Sequence, residues 1–374
     1  MNKILVVTSY FYPDIGGVAN HTYNLYKYLS KYSENKIVII SSGKKYTTNY
    51  MGKLKVIRLP YLFKISMTPV NPLWLFQIRA IIKYFKPDII LVHIPVVFMA
   101  DIAALVCGNI PLIVKYHHGG SMVKGKFLPD ILISLYEKTL LKHLFKRVKL
   151  IISASEYVSK NYLFAYKEKV LTITSGVDLN KFKPKYYKPK ENILFVANLN
   201  KSERYKGLEY LLDAFPLIKE RIPKATLTIV GDGDELTYYK NIATILKINT
   251  DVLFKGRVIG KDLVKLYQES GVVVLPSLVE SSPNVLLEAM ACGKPIAGSD
   301  TKGISDIIFE GKNGYLFEPK NPANIAVKVV RILSDKKMSK KMGAKGYKIA
   351  RDKYSWDKKA KMTQSAINDV LQYL

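Results

Sequence analysis

The chain has 374 residues, of which 48% are hydrophobic, and a formal net charge of +28. This length and apolar content exclude a largely disordered chain and provide enough material for two α/β cores. Its two cysteines, Cys107 and Cys292, lie far apart in apolar stretches, which excludes a disulfide framework and indicates a reducing, cytoplasmic setting. No uninterrupted apolar run reaches the roughly 18 residues that a membrane-spanning helix needs.

Short β-branched runs alternate with longer amphipathic segments along the whole chain. The predicted strands are 3–8, 36–41, 54–58, 88–93, 111–116, 149–153 and 170–174, then a second series at 192–197, 225–230, 251–255, 271–276 and 295–298. The predicted helices between them include 19–32, 128–147, 206–221, 260–269 and 284–292. This alternation predicts parallel sheets that are covered by helices on both faces.

A Pro- and Lys-rich segment from Phe182 to Glu191 separates the two series of strands. Because this segment has no apolar periodicity, we interpret it as the linker between two domains. The first domain is then predicted to span residues 1–185 and the second residues 186–355. The last amphipathic segment, residues 356–374, could pack on either domain.

The basic excess lies mainly in the first half of the chain. Such a field favours polyanionic partners, namely phosphates, nucleic acid or an anionic membrane face. A proteome that is rich in lysine throughout would produce the same excess without any specific partner. The charge therefore indicates a class of ligand and does not identify one.

Four candidate sites follow predicted strands, at the edge of a parallel sheet where ligands bind. In the first, Gly16 and Gly17 precede a helix, and paired glycines let a phosphate approach the backbone at a helix N-terminus. In the second, His117 follows strand 111–116, where an imidazole can bond a sugar hydroxyl or move a proton near neutral pH. A plain turn and a solvated loop histidine are the respective alternatives, and His118 could replace His117.

The third site is Lys206, which follows strand 192–197 at the predicted start of the next helix. The helix dipole disfavours a lysine there unless the lysine holds an anion. Lys206 is therefore a candidate to neutralise a diphosphate. Because lysine is so common in this chain, an ordinary surface position is the alternative.

The fourth site gives the strongest signal, since two carboxylates flank the start of one predicted helix. Glu280 precedes the helix and Glu288 lies inside it, among Val, Leu, Ala, Met and Cys residues. An unpaired carboxylate in such surroundings is costly, so Glu288 is expected to bond a ligand hydroxyl or another donor. The two glutamates can hold different parts of one ligand.

These motifs resemble the retaining glycosyltransferases of family 4, which have the GT-B architecture. The Glu-x7-Glu motif followed by Ala-Met-Ala-Cys-Gly-Lys-Pro is highly specific for that family, and the resemblance covers nearly the whole chain. The other segments that carry it are Gly16–Gly17, Ser175–Asp178, Gly231–Gly233, Phe254–Gly256, Gly303–Asp306, Asn313–Gly314 and Tyr354–Trp356. It implies an α/β fold of two facing Rossmann-like domains with parallel sheets and an interdomain cleft, and a C-terminal helix, 356–374, that crosses back onto the first domain.

The resemblance also implies roles for individual residues. Glu288 resembles the glutamate that binds the nucleotide ribose, and Glu280 the one beside the donor sugar. Lys206 resembles the lysine that contacts the diphosphate, with the amides of Gly16 and Gly17 near the distal phosphate. The implied catalytic residues are His117, Glu280 and Lys206, and the implied donor-binding residues are Gly16, Gly17, Arg204, Lys206, Glu280, Asn284, Val285 and Glu288.

One position departs from the family pattern. Where many members carry an arginine that is paired with the lysine, this chain has Asn198. Arg204, two residues before Lys206, is the candidate to supply the missing positive charge.

The resemblance implies transfer of a sugar from a UDP- or GDP-sugar to a glycan or lipid-linked acceptor. Retention of the anomeric configuration and a role in cell-surface polysaccharide or glycolipid synthesis are implied as well. Catalysis is expected to be mostly electrostatic, without a metal or any cofactor besides the nucleotide sugar. Another two-Rossmann-domain nucleotide-sugar enzyme, an epimerase or a phosphorylase, is the nearest alternative. A basic nucleic-acid-binding protein is a weaker one, because the basic residues are scattered and form no recognition motif.

Two amphipathic segments carry apolar or aromatic residues beside lysines, namely Pro72–Phe85 and Leu135–Val148. Helices of this kind can lie on anionic lipid, but they can equally cover their own sheet. We therefore expect a cytoplasmic protein, with a peripheral position at the inner face of the cell membrane as a hypothesis.

Overall fold

The computed structural model describes residues 2–14, 16–32, 34–65, 68–94, 96–118, 127–185 and 190–372, with the backbone alone at 127–130 and 132. The chain divides into two compact units. The first comprises Met1–Ser175 together with Trp356–Leu374, and the second comprises Gly176–Ser355. Each unit is built around its own large sheet.

The first unit contains an eight-stranded sheet in which every strand except one is parallel to its neighbours. Its strands are β1 (Asn2–Val7), β2 (Asn35–Gly43), β3 (Thr47–Met51), β4 (Leu54–Pro60), β7 (Ile89–Ile94), β8 (Leu112–Tyr116), β9 (Leu150–Ser153) and β10 (Val170–Thr172), while β5 (Phe63–Ile65) and β6 (Thr68–Val70) form a separate hairpin. Its helices are α1 (Gly17–Leu29), α2 (Trp74–Phe85), α3 (Met99–Val106), α4 (Phe127–Tyr136) and α5 (Lys142–Arg147).

The second unit contains a six-stranded sheet in which all neighbouring strands are parallel. Its strands are β11 (Asn192–Val196), β12 (Thr226–Val230), β13 (Val252–Phe254), β14 (Val272–Leu275), β15 (Ile296–Ser299) and β16 (Gly314–Phe317). Its helices are α6 (Leu208–Arg221), α7 (Leu236–Ile245), α8 (Gly260–Glu269), α9 (Asn284–Ala291), α10 (Pro322–Ser334) and α11 (Lys336–Tyr354). The last helix of the chain, α12 (Trp356–Gln372), belongs to the first unit.

Both sheets have the strand order of a Rossmann fold. The second sheet runs β13-β12-β11-β14-β15-β16, and the first runs β10-β9-β8-β7-β1-β2-β4 with the antiparallel β3 at its edge. In each sheet the order reverses between two central strands, β11 and β14 in the second and β1 and β7 in the first. Loops that leave such strands diverge, so ligands bind at the carboxyl edge near this reversal.

Alternate residues of the central strands enter two apolar cores on opposite faces of each sheet. In β1, Ile4 and Val6 join a core that includes residues of α1. Leu5 and Val7 join the other core, which includes residues of α2 and α3. The strand β14 divides its side chains between two cores in the same way. The prediction of parallel sheets buried on both faces is therefore confirmed.

All predicted strands are present, with ends within two residues of the predicted ones. The edge strand β3, the hairpin β5–β6 and the final strand β16 were not predicted. The predicted helical segment 128–147 is present, and a π-helical turn, Glu137–Leu141, joins α4 to α5 within it. A π-helical turn shifts the phase of a helix face, which an amphipathic pattern does not reveal.

The structure moves the predicted domain boundary from residue 185 to residue 175. The ring of Phe182 is buried and packs edge-on against Tyr267, with ring centroids 5.8 Å apart. This contact attaches residues 176–185 to the second unit. Their basic, Pro-containing composition does not indicate such an attachment. Residues 186–189 of the predicted linker lie outside the described residues.

The last helix packs on the first unit, which is the arrangement that the resemblance implied. Trp356, at 3% exposure, lies in the same apolar core as Leu25 of α1. The side-chain amide of Asn35 donates to the Oε1 atom of Gln364 at 2.6 Å. Apolar burial and polar contacts therefore both hold α12 against this unit.

A close backbone contact holds α11 against the end of α9. A Cβ atom on Gly343 would lie 2.0 Å from the carbonyl oxygen of Gly293. A Cβ atom on Gly346, further along α11, would have the Cγ atom of Met290 as its nearest neighbour, at 3.4 Å. Glycine is therefore required at position 343 and is not required at position 346.

We expect Gly343→Ala to lower the melting temperature, because the added methyl group forces α11 away from Gly293. Overpacking of this kind costs about 1–3 kcal/mol. Gly346→Ala is the matched control and is expected to keep or raise the melting temperature, since alanine is about 1 kcal/mol better than glycine inside a helix. Calorimetry of both variants measures the difference, and equal melting temperatures would contradict the required close approach at 343.

Candidate active site

Two loops of the second unit meet where its strand order reverses. The first loop leaves β11 and ends in a 3₁₀ turn, Lys201–Lys206, just before α6. The second loop leaves β14 and ends at Pro283, the N-cap of α9. The backbone N–H of Leu278 in the second loop donates to the carbonyl oxygen of Tyr205 in the first at 2.8 Å. The topology therefore joins two segments that are distant in sequence.

Lys206 and Glu280 form an ion pair between these two loops. The Nζ atom of Lys206 lies 2.6 Å from the Oε1 atom of Glu280, and the side chains are 21% and 9% exposed. Gly207 has a φ of +72°, and a Cβ atom there would lie 2.2 Å from the Pro276 carbonyl oxygen. A Cβ atom on Gly303 would lie 2.4 Å from the Glu280 carbonyl oxygen. Close backbone packing thus fixes both members of the pair.

The pair determines the charge of the lysine. Burial disfavours the charged ammonium of Lys206, but the charge and hydrogen bond of Glu280, together with the nearby Tyr205 and Glu203, outweigh this effect and raise the pKa of Lys206. If one partner of such a buried pair is removed, the other is left as a poorly solvated charge. The site therefore holds a lysine that stays charged, with Glu280 as its counter-ion.

Glu288 lies one turn into α9, where its Oε2 atom accepts a hydrogen bond from the Tyr267 hydroxyl at 2.8 Å. Burial raises the pKa of Glu288 to about 7, while the Tyr267 hydrogen bond and the charge of Lys181 oppose this rise. Its two protonation states are therefore nearly balanced at neutral pH. A donor group for Glu288 was expected, and Tyr267 supplies one within the protein.

Asn284 and Val285, two of the predicted donor-binding residues, are the first two residues of α9. The backbone N–H groups in the first turn of a helix lack partners within that helix and carry partial positive charge. The start of α9 lies in the chain between Glu280 and Glu288. The segment therefore carries backbone donors and two carboxylates close together in sequence.

Arg204 is held by a partner that the sequence analysis did not identify. Its Nε and Nη2 atoms lie 2.8 and 2.5 Å from the Oε2 atom of Glu235. The guanidinium carbon lies 4.5 Å from the centre of the Tyr238 ring. Asn198, at the position of the family's arginine, donates its amide to Glu203 at 3.2 Å. Arg204 thus shares its charge with Glu235, and its contact with a diphosphate stays a prediction.

In the first unit, the predicted phosphate loop ends at α1. Gly16 is the N-cap, with a φ of 145°, and Gly17 is the first residue of the helix. Both residues are exposed. Among the described residues, no heavy atom lies within 4 Å of a Cβ atom placed at either position. Internal packing therefore does not account for the two glycines, and the space beside the backbone is open.

His117 lies directly after β8 in a cluster of buried basic and aromatic groups. Its Nε2 atom lies 2.8 Å from the Nδ1 atom of His93 on β7, and its ring is 4.7 Å, edge-on, from that of His21 on α1. Burial lowers the pKa of His117 well below its usual value, and repulsion by His21, His93 and Lys115 lowers it further. The neutral ring favours hydrogen bonding to a hydroxyl over proton transfer near pH 7.

Lys115 is 2% exposed and lies beneath this cluster. Its Nζ atom donates to the carbonyl oxygens of Ser153, at 3.5 Å, and Ile173. Burial lowers the pKa of Lys115 well below its usual value, and the charge of Lys359 contributes to the same effect. Lys115 thereby ties β8 to the carboxyl ends of β9 and β10.

Several residues that contact the predicted site residues or their neighbours were not predicted from the sequence. These are His21, Tyr26, His93 and Lys115 in the first unit and Glu235 and Tyr267 in the second. His93 and Lys115 interrupt otherwise apolar strands, and a polar side chain in a buried strand needs a partner. The sequence therefore indicated that His93 and Lys115 have partners. Tyr267 gave no such indication, because a tyrosine fits an amphipathic helix such as α8.

Comparison with known families identifies both units. The family "Glycosyl transferases group 1" matches residues 177–349, and "Glycosyltransferase Family 4" matches residues 15–181. Together with the two Rossmann-type sheets, these matches define the protein as a glycosyltransferase with the GT-B fold. The chain belongs to the family 4 glycosyltransferases, as its motifs predicted.

Individual proteins show the same likeness. An uncharacterized glycosyltransferase of Methanocaldococcus jannaschii is 42% identical over 46% of this chain and 43% of its own length. A second one from that organism is 24% identical over 96% of both chains. The structure of sucrose-phosphate synthase from Thermosynechococcus elongatus covers 100% of both chains with a TM-score of 0.82 at 18% identity. HepE of Anabaena in complex with UDP covers 99% of this chain and 100% of its own, with a TM-score of 0.77 at 17% identity.

We expect Lys206→Met and Glu280→Gln each to lower the melting temperature, because each leaves a buried charge without its counter-ion. The double variant removes both charges and is expected to lose less stability than the sum of the two single losses. The difference, measured by denaturant unfolding of all four proteins, should be about 1–3 kcal/mol.

The matched control is the exposed pair Lys160–Glu156, whose closest N–O distance is 3.9 Å and whose side chains are 75% and 57% exposed. The corresponding single and double variants of this pair should give a coupling energy below about 1 kcal/mol. Additive losses at Lys206 and Glu280 would show that the two side chains do not depend on each other.

Proposed function

We propose that the protein transfers a sugar from a nucleotide-diphosphate sugar to a glycan or lipid-linked acceptor, with retention of the anomeric configuration. The setting we propose is the synthesis of cell-surface polysaccharide or glycolipid. The ion pair between Lys206 and Glu280 carries the proposal, because it provides a partly buried, charged lysine whose counter-ion a diphosphate can replace. Family membership supports the donor class, and the UDP bound to HepE supports a UDP-sugar, with a GDP-sugar as the other candidate.

The charges of the site suggest how the donor is activated. A diphosphate carries more negative charge than one carboxylate, so it attracts the Lys206 ammonium more strongly in the same surroundings. Glu280, once released from the lysine, accepts hydrogen bonds from hydroxyl groups of the donor sugar. As the sugar–phosphate bond breaks, charge grows on the diphosphate, and Lys206 stabilises the transition state.

Other parts of the proposal rest on family membership. A nucleotide-sugar epimerase, a phosphorylase and a nucleic-acid-binding protein are set aside, because both family matches are to glycosyltransferases. A reaction without metal or additional cofactor stays part of the proposal. The phosphate contact of Gly16 and Gly17 and the reactive-end position of His117 also stay predictions.

Glu288 links donor binding to pH. Its pKa of about 7 means that the carboxyl group is half ionised near neutral pH. Ribose hydroxyls donate more strongly to a carboxylate than to a carboxylic acid, so nucleotide binding selects the ionised form. Donor affinity should therefore rise as the pH increases through 7, and level off above it.

We expect one series among UDP-, GDP- and ADP-sugars to raise the melting temperature. The Kd of the stabilising nucleotide sugar, measured by calorimetry, should be about tenfold lower at pH 8 than at pH 6, since the ionised fraction of Glu288 changes by that factor. Glu288→Gln should bind more weakly at pH 8 and lose the pH dependence.

Glu220→Gln, an exposed position on α6, is the matched control and should bind like the wild type at both pH values. If no nucleotide sugar in the panel shifts the melting temperature of folded protein, the proposed donor class is wrong. A pH dependence that Glu288→Gln retains would instead show that the ribose contact is assigned to the wrong residue.

We also propose that the protein is cytoplasmic and binds peripherally to the inner face of the cell membrane. The net charge of +28 supports an anionic surface as partner. Ile131 and Leu135 on α4 and Leu140 in the π-helical turn are more than half exposed, beside the exposed Lys138 and Lys142. Apolar and basic groups on one helical segment are typical of interfacial binding. Within the described ranges, no helix has the length and apolar content to cross a bilayer.

We expect the protein to sediment with vesicles that contain phosphatidylglycerol at physiological salt, and not with neutral vesicles. Leu135→Ser/Leu140→Ser should weaken binding about tenfold or more, since each leucine contributes about 1.5–3 kcal/mol when buried. Ile245→Ser, at a position 77% exposed on α7, is the matched control. Absence of binding to anionic vesicles would remove the membrane proposal.

A further inference from the structure

A chain of hydrogen bonds in the first unit runs from α1 through β7 to His117. The Tyr26 hydroxyl lies 2.7 Å from the Nε2 atom of His93, and the Nδ1 atom of His93 lies 2.8 Å from the Nε2 atom of His117. Tyr26 is fully buried and His93 is 2% exposed. The contact between Tyr26 and His93 is therefore shielded from solvent, and the contact between His93 and His117 is partly buried.

Thr22 restricts the direction of donation along these hydrogen bonds. Its hydroxyl donates to the carbonyl oxygen of Val18 at 2.7 Å. The same hydroxyl oxygen lies 3.4 Å from the Nδ1 atom of His93. Because its proton is already used, this oxygen can only accept from His93. A proton on Nδ1 of His93 satisfies the contact, and a bare Nδ1 would face another acceptor.

The hydrogen bond of Tyr26 indicates the same direction of donation, from Tyr26 through His93 to His117. Among the described residues, its hydroxyl contacts no acceptor other than Nε2 of His93. If Nε2 carried the proton, the buried phenolic hydrogen would have no acceptor, which folded proteins avoid. A neutral imidazole carries one proton and one acceptor nitrogen. Tyr26 therefore donates to Nε2 of His93, and His93 donates from Nδ1 to Nε2 of His117.

We propose that His93 is a positioning residue which, together with Tyr26, holds His117 in the neutral tautomer that carries its proton on Nδ1. The Nε2 atom of His117 is engaged as an acceptor, so its Nδ1–H is the polar hydrogen that the ring can donate. In the proposed reaction, we assign an oxygen of the bound substrate as an acceptor for this hydrogen. Only this last step rests on the proposed function, because the tautomer is a property of the fold.

Burial and the surrounding basic groups keep the two imidazoles of this hydrogen-bonded chain neutral. His21 of α1 faces the His117 ring, Lys115 comes from β8, and Lys359 comes from α12, with both lysines 6% exposed or less. Burial, and then the charge of Lys115, lowers the pKa of His93 to about 3. Burial and repulsion by its basic neighbours likewise lower the pKa of His117. Each ring therefore keeps a single proton, which a directed chain requires.

The tautomer of His117 can be measured by two-bond ¹H–¹⁵N correlation spectra of the full chain labelled with ¹⁵N-histidine. The chain has five histidines, and the signal of His117 is assigned with His117→Asn. We expect the Nδ1–H form in the wild type. Tyr26→Phe removes the phenolic donor with little change in volume and leaves only the longer, 3.4 Å contact of Thr22 with His93 to set the direction. It should therefore convert His117 to a mixture of both tautomers.

Two results of this measurement would overturn the proposal. One is an Nε2–H tautomer at His117 in the wild type, and the other is a tautomer that Tyr26→Phe leaves unchanged. A role of Tyr26 in packing alone predicts the second result. The comparison therefore separates positioning from general stabilisation of the core.

Steady-state kinetics test whether the positioning of His117 by His93 affects turnover. The measured reaction is the hydrolysis of UDP-glucose in the absence of acceptor. His93→Leu should lower kcat about 100-fold with little change in the KM for UDP-glucose. His93→Asn keeps an amide nitrogen near the position of Nδ1 and should restore most of kcat. His143→Leu, exposed on α5, is the matched control. Equal losses in His93→Leu and His93→Asn would show a packing role and contradict positioning.

The two measurements separate failure of this inference from failure of the proposed function. If UDP-glucose is not turned over but His117 has the Nδ1–H tautomer and depends on Tyr26, the positioning inference holds and the assigned donor is wrong. If UDP-glucose is turned over but the tautomer is Nε2–H, the transferase proposal stands and the directed chain is wrong.

Discussion

The ion pair between Lys206 and Glu280 is the interaction on which the site of the second unit depends. Its two residues are 74 positions apart and meet because the strand order of the sheet reverses between β11 and β14. Removal of either charge would leave the other poorly solvated, so the pair adds to the backbone contacts that hold the two loops together. The same contact keeps the lysine protonated and supplies a carboxylate next to it. One ion pair therefore both helps to hold the loops together and keeps the lysine charged.

Burial sets the protonation states of the remaining site residues. In the first unit, it lowers the pKa values of His93 and His117, with buried lysines contributing to the effect, so the imidazoles stay neutral and their hydrogen bonds can be directed. In the second unit, it brings the pKa of Glu288 to about 7. Both effects arise because a low-dielectric interior penalises charge. The helices that cover each sheet thus also set the protonation states of the titratable groups at its carboxyl edge.

Much of the fold was predictable because buried parallel strands are short, continuous apolar runs that are easily read from sequence. The exposed edge strand β3 and the hairpin β5–β6 lack such runs and were not predicted. The boundary was misplaced because Phe182 packs on Tyr267, a contact between distant residues that local composition does not encode. The fold class and family are confirmed, whereas the roles assigned to individual site residues stay predictions.

The family, the two Rossmann-type sheets and the carboxylate and lysine positions can be read from the sequence, because they depend on local apolar periodicity and on motifs of fixed spacing. The contacts between the site residues follow from the packing of the folded chain. This packing pairs Lys206 with Glu280, Arg204 with Glu235, Glu288 with Tyr267 and His117 with His93. Such contacts form between loops and strands brought together by sheet order, and the protonation states follow from burial. Both are properties of the packed chain, and local sequence does not contain them.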